Sequence, residues 1–204
     1  QIQLPDGSKV VLNADSKLSY TTDFGESTRK IQLKGEAYFE VTKNPNKPFE
    51  VYTDHLVVTV LGTSFNISAF EGQQIEEIAL NTGKVKIQPL TASEASPVSS
   101  YLEPGELASF DVNSHEIDIS RYNRMDPYGW KDGRIVFHNA TFQEVIEVLS
   151  RWYNVKFEVT GSLNRDWSYG SSFDNATLKN VLESLKFSEK IDYELNGSVV
   201  KLKL

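Results

Sequence analysis

The stretch "FHNATFQEVIEVL", Phe137 to Leu149, decides the fold, because it carries a helical signature and occurs twice. Phe142, Val145, Ile146 and Leu149 fall at i, i+3, i+4 and i+7, one face of a helix. Ahead of them, Thr141 and Glu144 make a Thr-x-x-Glu capping box. The second copy, "FDNATLKNVLESL", is in register 36 positions later (137 to 173) and sets Leu178, Val181, Leu182 and Leu185 at the same offsets. Two copies are too few for a solenoid, which needs about three repeats. Strand-like runs surround both: "RIVF", "VKFEV", "SYGSSF", "IDYEL" and "VVKLKL". The pattern predicts a small α+β domain over 133–204, a duplicated β-α-β unit with two helices on a sheet.

Upstream, the period changes. Over 1–120, short β-type runs recur every eight to twelve residues, among them "SKVVLN", "KIQLKG", "EAYFEVT", "LVVTVLG" and "ELASFDV". Turn residues separate them: Asp6-Gly7, Asn44-Pro45-Asn46, Asn81-Thr82-Gly83 and Pro104-Gly105. No amphipathic helix is visible. The expectation is an all-β domain, a sandwich or a solenoid-like stack of short strands. The polar tract "TASEASPVSS" (91–100) reads as a surface loop, and 121–132 as a connector that is either a hinge or packed.

Composition narrows the function classes. A net charge of -7, with 21 basic residues scattered along the chain, argues against nucleic acid or an anionic membrane surface as partner. Without cysteine there is no disulfide framework, thiolate metal site or cysteine nucleophile. The apolar run Leu56 to Gly62 is far shorter than the roughly 20 residues a spanning helix needs. The chain opens in "QIQLPDGS" with no export signal, which suggests a piece whose anchor lies upstream.

Candidates for chemistry are few. His55, His115 and His138 have no metal-type spacing. Glu36 with Glu40, or Glu76 with Glu77, could supply a glycosidase pair, but strand alternation sends one of Glu76 and Glu77 to solvent. No metal site and no cofactor is expected. Sequons at Asn66, Asn139, Asn175 and Asn196 have plainer uses: Asn139 and Asn175 at helix starts, and Asn196-Gly197 as a hairpin turn. Trp130, Trp152, Trp167, Tyr153 and Tyr169 would serve as core rings or as a sugar-stacking platform, the core being preferred.

The ordered set "LPDGSKVVLNADSKLSY", "IQLKGEAYFEVTKNPNKPFEVYT", "VTVLGTSFNISAF", "LNTGKVKI" and "LEPGELASF" resembles the periplasmic domain of FecR-type anti-sigma factors. "WKDGRIVFHNATFQEVIEVLSRWYNVKFEV" and the remaining residues to the C-terminus resemble the C-terminal domain of such proteins in Bacteroidetes-type bacteria, itself similar to the secretin/TonB short N-terminal fold. The resemblance implies the periplasmic part of a single-pass inner-membrane protein. Its cytoplasmic portion, absent here, would hold an extracytoplasmic-function sigma factor. The part in hand would sense the signalling domain of a TonB-dependent outer-membrane transporter.

Two sets of residues are the candidate sites. The run Val199, Val200, Lys201, Leu202, Lys203 and Leu204 is the expected partner-binding edge, with Val200, Leu202 and Leu204 facing in and the lysines out. Some members of the wider family split themselves at a Gly–Thr bond, and Gly62-Thr63 in "VLGTSFNI" resembles that place. Such cleavage needs the Thr63 hydroxyl to reach the Gly62 carbonyl carbon, with His55 or Ser64 as neighbours able to help. The preferred reading is a tight bend with locally bonded hydroxyls and no catalytic role. A carbohydrate-binding or carbohydrate-cleaving β-module is the alternative from another class.

Overall fold

The structure, a computed structural model, describes residues 1–90, 99–122, 127–162 and 167–204. The tract expected to loop over 91–100 therefore lies almost wholly outside the described residues. The chain divides into two compact units, Gln1–Lys131 and Asp132–Leu204.

Among the described residues the first unit has twelve strands: β1 (Ile2–Gln3), β2 (Lys9–Leu12), β3 (Lys17–Tyr20), β4 (Lys30–Glu40), β5 (Phe49–Tyr52), β6 (Leu56–Val60), β7 (Ser64–Ala69), β8 (Ile75–Thr82), β9 (Val85–Pro89), β10 (Ser100–Leu102), β11 (Glu106–Asp111) and β12 (Ile117–Arg121). They form one hydrogen-bonded path, β10-β9-β6-β5-β4-β7-β8-β11-β12, with β2 and β3 also pairing on β4. The long β4 belongs to two sheets. Its start pairs with β3 and β5, and its end, from Gly35 to Glu40, pairs with β7. Gly35 permits the crossing: its φ is +92°, and a Cβ there would stand 2.4 Å from the Ser16 hydroxyl oxygen. The two sheets fold over a single core, in the manner of a sandwich. Phe39 of one meets Phe49 of the other at 6.3 Å between ring centres. Alternation drives this burial. Leu56, Val58 and Val60 face in, while Val57 and Thr59 do not.

The second unit holds β13 (Arg134–Ala140), α1 (Phe142–Tyr153), β14 (Lys156–Thr160), β15 (Tyr169–Asp174), α2 (Leu178–Glu189), β16 (Asp192–Asn196) and β17 (Val199–Lys203). The duplication is visible as β13-α1-β14 and β15-α2-β16. The strands sort into two sheets, however. The first strands of the two copies pair with each other as β13-β15, and the second strands flank the extra strand in the order β14-β17-β16. Val145 and Leu149 of α1 and Val181, Leu182 and Leu185 of α2 are buried, with Val200 and Leu202, in the unit's core. Burying one such side chain stabilises by about 1.5–3 kcal/mol, which the isolated helices lack.

Both helices start as threonine caps. The Thr141 hydroxyl accepts from the Glu144 N–H at 3.2 Å, and the Glu144 carboxylate accepts from the Thr141 N–H at 2.6 Å. Thr177 caps α2 alone, accepting from the Asn180 N–H at 3.3 Å. Asn139 and Asn175, expected as helix-start capping residues, instead sit two residues earlier with left-handed φ values of 51° and 47°. Asparagine tolerates that conformation better than most residues. The last turn is also one residue off expectation: Asn196 pairs with Val199, so the hairpin turns on Gly197-Ser198.

Candidate functional site

Gly62 and Thr63 join β6 to β7 against the segment after β4. The Leu61 carbonyl accepts from the Asn44 N–H at 2.7 Å, and the Thr63 carbonyl from the Val41 N–H at 2.9 Å. Gly62 has a φ of +153°, and a Cβ on it would lie 2.6 Å from the Lys43 Cα. Thr63 is buried, and its hydroxyl donates to the Lys84 carbonyl at 3.1 Å. Gly62, Thr63, Ser64 and Thr82 line one side of an open depression of about 330 Å³. The neighbours considered as helpers are engaged elsewhere. The Ser64 hydroxyl meets that of Thr82 at 2.5 Å, and His55 belongs to a different cluster.

That cluster escaped sequence reasoning. Glu76 is buried at the end of the sandwich, 2.7 Å from His55 Nδ1, and accepts from the Thr53 hydroxyl at 2.6 Å. Hydroxyl, imidazole and carboxylate are together, yet not in nucleophile order, because Thr53 donates to the carboxylate and not to the ring. The Thr53 hydroxyl also accepts from the Leu56 N–H at 2.9 Å, which ties the β5–β6 turn. The arrangement is a staple for that turn. Nothing in the spacing of 53, 55 and 76 could reveal it, since the β5–β6 turn and β8 do not pair and come together only in the folded unit.

A second polar cluster covers the outer face of β4, β7 and β8. Glu36 accepts from Asn13 at 2.7 Å and Asn66 at 2.8 Å, and the Trp130 indole donates to Asn66 Oδ1 at 3.2 Å. Asn81 donates to the Tyr38 hydroxyl at 3.0 Å, and Tyr122 to the Leu80 carbonyl at 2.5 Å. Tyr128 packs on Tyr38 at 5.5 Å, and Lys131 lies over the Tyr38 ring at 5.4 Å. The described part of the expected connector up to Lys131 is thus packed within the first unit, and Asp132 opens the second; residues 123–126 lie outside the described ones. Asn66, in a sequon, is buried in this network.

The expected partner-binding edge requires correction. Val199 to Lys203 form β17, which is the central strand of its sheet, bonded to β14 in parallel and to β16 antiparallel. Val200 and Leu202 do face the core, and Lys201 and Lys203 do face out. The lysines stand between cross-strand neighbours: Lys201 is flanked by Glu158 and Glu194. Both backbone sides of β17 are used. The alternation was readable, whereas strand order was not.

The four rings of this set in the second unit, Trp152, Tyr153, Trp167 and Tyr169, pack in or against its core, as the preferred reading expects. Tyr169 is buried, Trp167 packs edge-on to Phe142 at 5.3 Å, and the Tyr153 hydroxyl donates to the Ala176 carbonyl at 2.8 Å. Burial pushes the Tyr153 phenol up from its ordinary value. Glu76 and Glu77 point to opposite faces of β8, the buried one being Glu76. No group of three or more histidine or acidic side chains able to hold a metal ion is found among the described residues. No described helix is long and apolar enough to cross a membrane.

Comparison with known proteins supplies the identity. Residues 1–86 match the family described as FecR protein, and residues 134–202 that described as FecR, C-terminal. Two crystal structures of a candidate anti-sigma factor from Parabacteroides distasonis ATCC 8503 share the fold. At 1.65 Å resolution the match has 30% identity and a TM-score of 0.87, covering 99% of this chain and 92% of that one. At 2.50 Å it has 30% identity and a TM-score of 0.88, covering 100% and 92%. Among curated proteins, none matches. The chain therefore belongs to the FecR family of anti-sigma factors, with a FecR unit followed by a FecR C-terminal unit.

Proposed function

We propose that this chain is the periplasmic sensing part of a single-pass inner-membrane anti-sigma factor. It binds the signalling domain of a TonB-dependent outer-membrane transporter and, through a cytoplasmic portion, controls an extracytoplasmic-function sigma factor. The observation that carries this reading is the combination of family membership with a second unit that leaves strand edges open: among the described residues, β14 and β16 each pair on one side only. An open edge offers a partner a row of backbone donors and acceptors. The test is capture of the cognate signalling domain by the purified chain. Retention at micromolar concentration is expected, and its absence counts against the partner.

The chain acts in this reading as a binding module and not as an enzyme. The Gly62–Thr63 bond is structural, and what supports this is that the Thr63 hydroxyl already donates to the Lys84 carbonyl. Intact-mass measurement of purified protein should give one full-length species. Two fragments meeting at Gly62/Thr63 would reverse this assignment.

A further inference from the structure

We propose that the outer edge of β16 (Asp192–Asn196) is a docking edge for one added strand whose side chains alternate apolar and basic. The inference rests on the function proposed above only for which protein carries that strand. Register assigns the faces of β16. Tyr193 and Leu195 lie opposite Leu202 and Val200, on the core side, and Asp192 and Glu194 lie opposite Lys203 and Lys201, on the open side. The inner edge of β16 is already filled by β17, which shows what this strand accepts: Val200 and Leu202 on the core side, with lysines against the two carboxylates. Because a strand presents the same side chains toward both edges, the outer side asks for the same chemistry. Basic neighbours are felt here. Lys186, at 2.9 Å, holds the Asp192 carboxyl below its ordinary value, with a smaller contribution from Lys203.

The two edges of this sheet are not equivalent. β14 carries Lys156, whose side chain is 76% exposed, and an exposed lysine on an edge discourages pairing. β16 has no lysine, no proline and a regular register. It also leaves apolar surface bare on the side an added strand would cover, since Leu195 is 43% exposed. Lys186 and Glu183 of α2 bond Asp192 and Tyr193, so that flank of the helix lies beside β16. Phe187, adjacent in α2, is 82% exposed and gives a partner carrying the strand a second apolar contact.

The experiment uses the whole chain, isotopically labelled, titrated with an acetylated heptapeptide alternating valine and lysine. Amide shifts centred on Asp192–Asn196 are expected, with hydrogen exchange there slowed at least tenfold. A matched peptide with glutamate for lysine should give neither. No change at β16, or equal changes at β14, or equal effects of the acidic peptide, each overturn the proposal. Glu194→Lys and Leu195→Lys should each weaken peptide binding at least fivefold with the remaining spectrum unchanged. If Leu195→Lys disturbs the fold, Glu194→Lys decides. Capture of the transporter's signalling domain separates the two readings. Equal capture by wild type and Glu194→Lys overturns the docking edge and leaves the function standing. Peptide protection of β16 without capture supports the edge and rejects the transporter as its occupant.

Discussion

Gly62 shows how much a single residue can be committed to close packing. A Cβ would stand 2.6 Å from the Lys43 backbone, at a φ of +153° that other residues rarely adopt. Gly62→Ala is expected to cost about 2–3 kcal/mol, read as a lower denaturant midpoint, whether or not the bond is ever cut. Arg29 is a second such residue, fully buried and invisible to pattern reading. It pairs with Asp6 at 3.1 Å and donates to the carbonyls of Thr42 at 2.8 Å and Asn44 at 3.2 Å, and also to that of Lys47. Removing one partner of a buried pair leaves a charge uncompensated, so Arg29→Ala should cost about 3–5 kcal/mol by chemical denaturation. Arg29→Lys should recover only part of this, because an ammonium cannot span the same carbonyls.

Asp111 makes a pH prediction. Its carboxylate accepts from the Ser114 and Asn113 N–H groups, and these bonds hold it below its ordinary value. Because the folded value is depressed, its stabilisation of the β11–β12 turn is complete above the unfolded aspartate value, about 3.9. It is lost as pH falls through the lower folded value. The Asn113 and Ser114 amide shifts should therefore titrate with a midpoint below about 3.9.

Among the elements, the duplicated helices form a natural experiment. α1 starts with a complete capping box and α2 with a single threonine bond, because position 180 is Asn where the first copy has Glu144. Thr141→Ala should cost about 1 kcal/mol. Asn180→Glu should stabilise α2 by about 0.5 kcal/mol, by completing the box and placing a negative charge in the first turn. Thermal denaturation of each variant reads both effects. The helices were legible in the sequence because their apolar spacing and caps act within a few residues. The sheets around them were less so. "VVKLKL" announces which side chains face in, yet nothing within it tells whether it lies at an edge or in the middle.

For the whole molecule, the segment after β12 decides where the first unit ends. Tyr122, Tyr128 and Trp130 cover Tyr38, Asn66 and Asn81, so the boundary between units falls after Lys131 and not at the close of the last strand. A fragment 1–131 should therefore be more stable than 1–121. Trp130→Ala in the full chain should cost about 1–3 kcal/mol, since it strips a hydrogen bond from the buried Asn66 amide. Guanidinium titration followed by circular dichroism would measure both.

By itself the sequence determined the strand-rich first part, the two helices with the capping box that starts the first, and the repeat that relates them. The ordered motifs placed the chain in its family. Each of these is written in neighbours a few residues apart, or in the order of short motifs. Only the tertiary structure decided that β17 is central, that Glu76 lies against His55, that Asn66 is buried under Trp130 and that β16, among the described residues, pairs on one side only. Strand order and burial depend on contacts between residues far apart in the chain, and local spacing carries no record of which distant strands will meet.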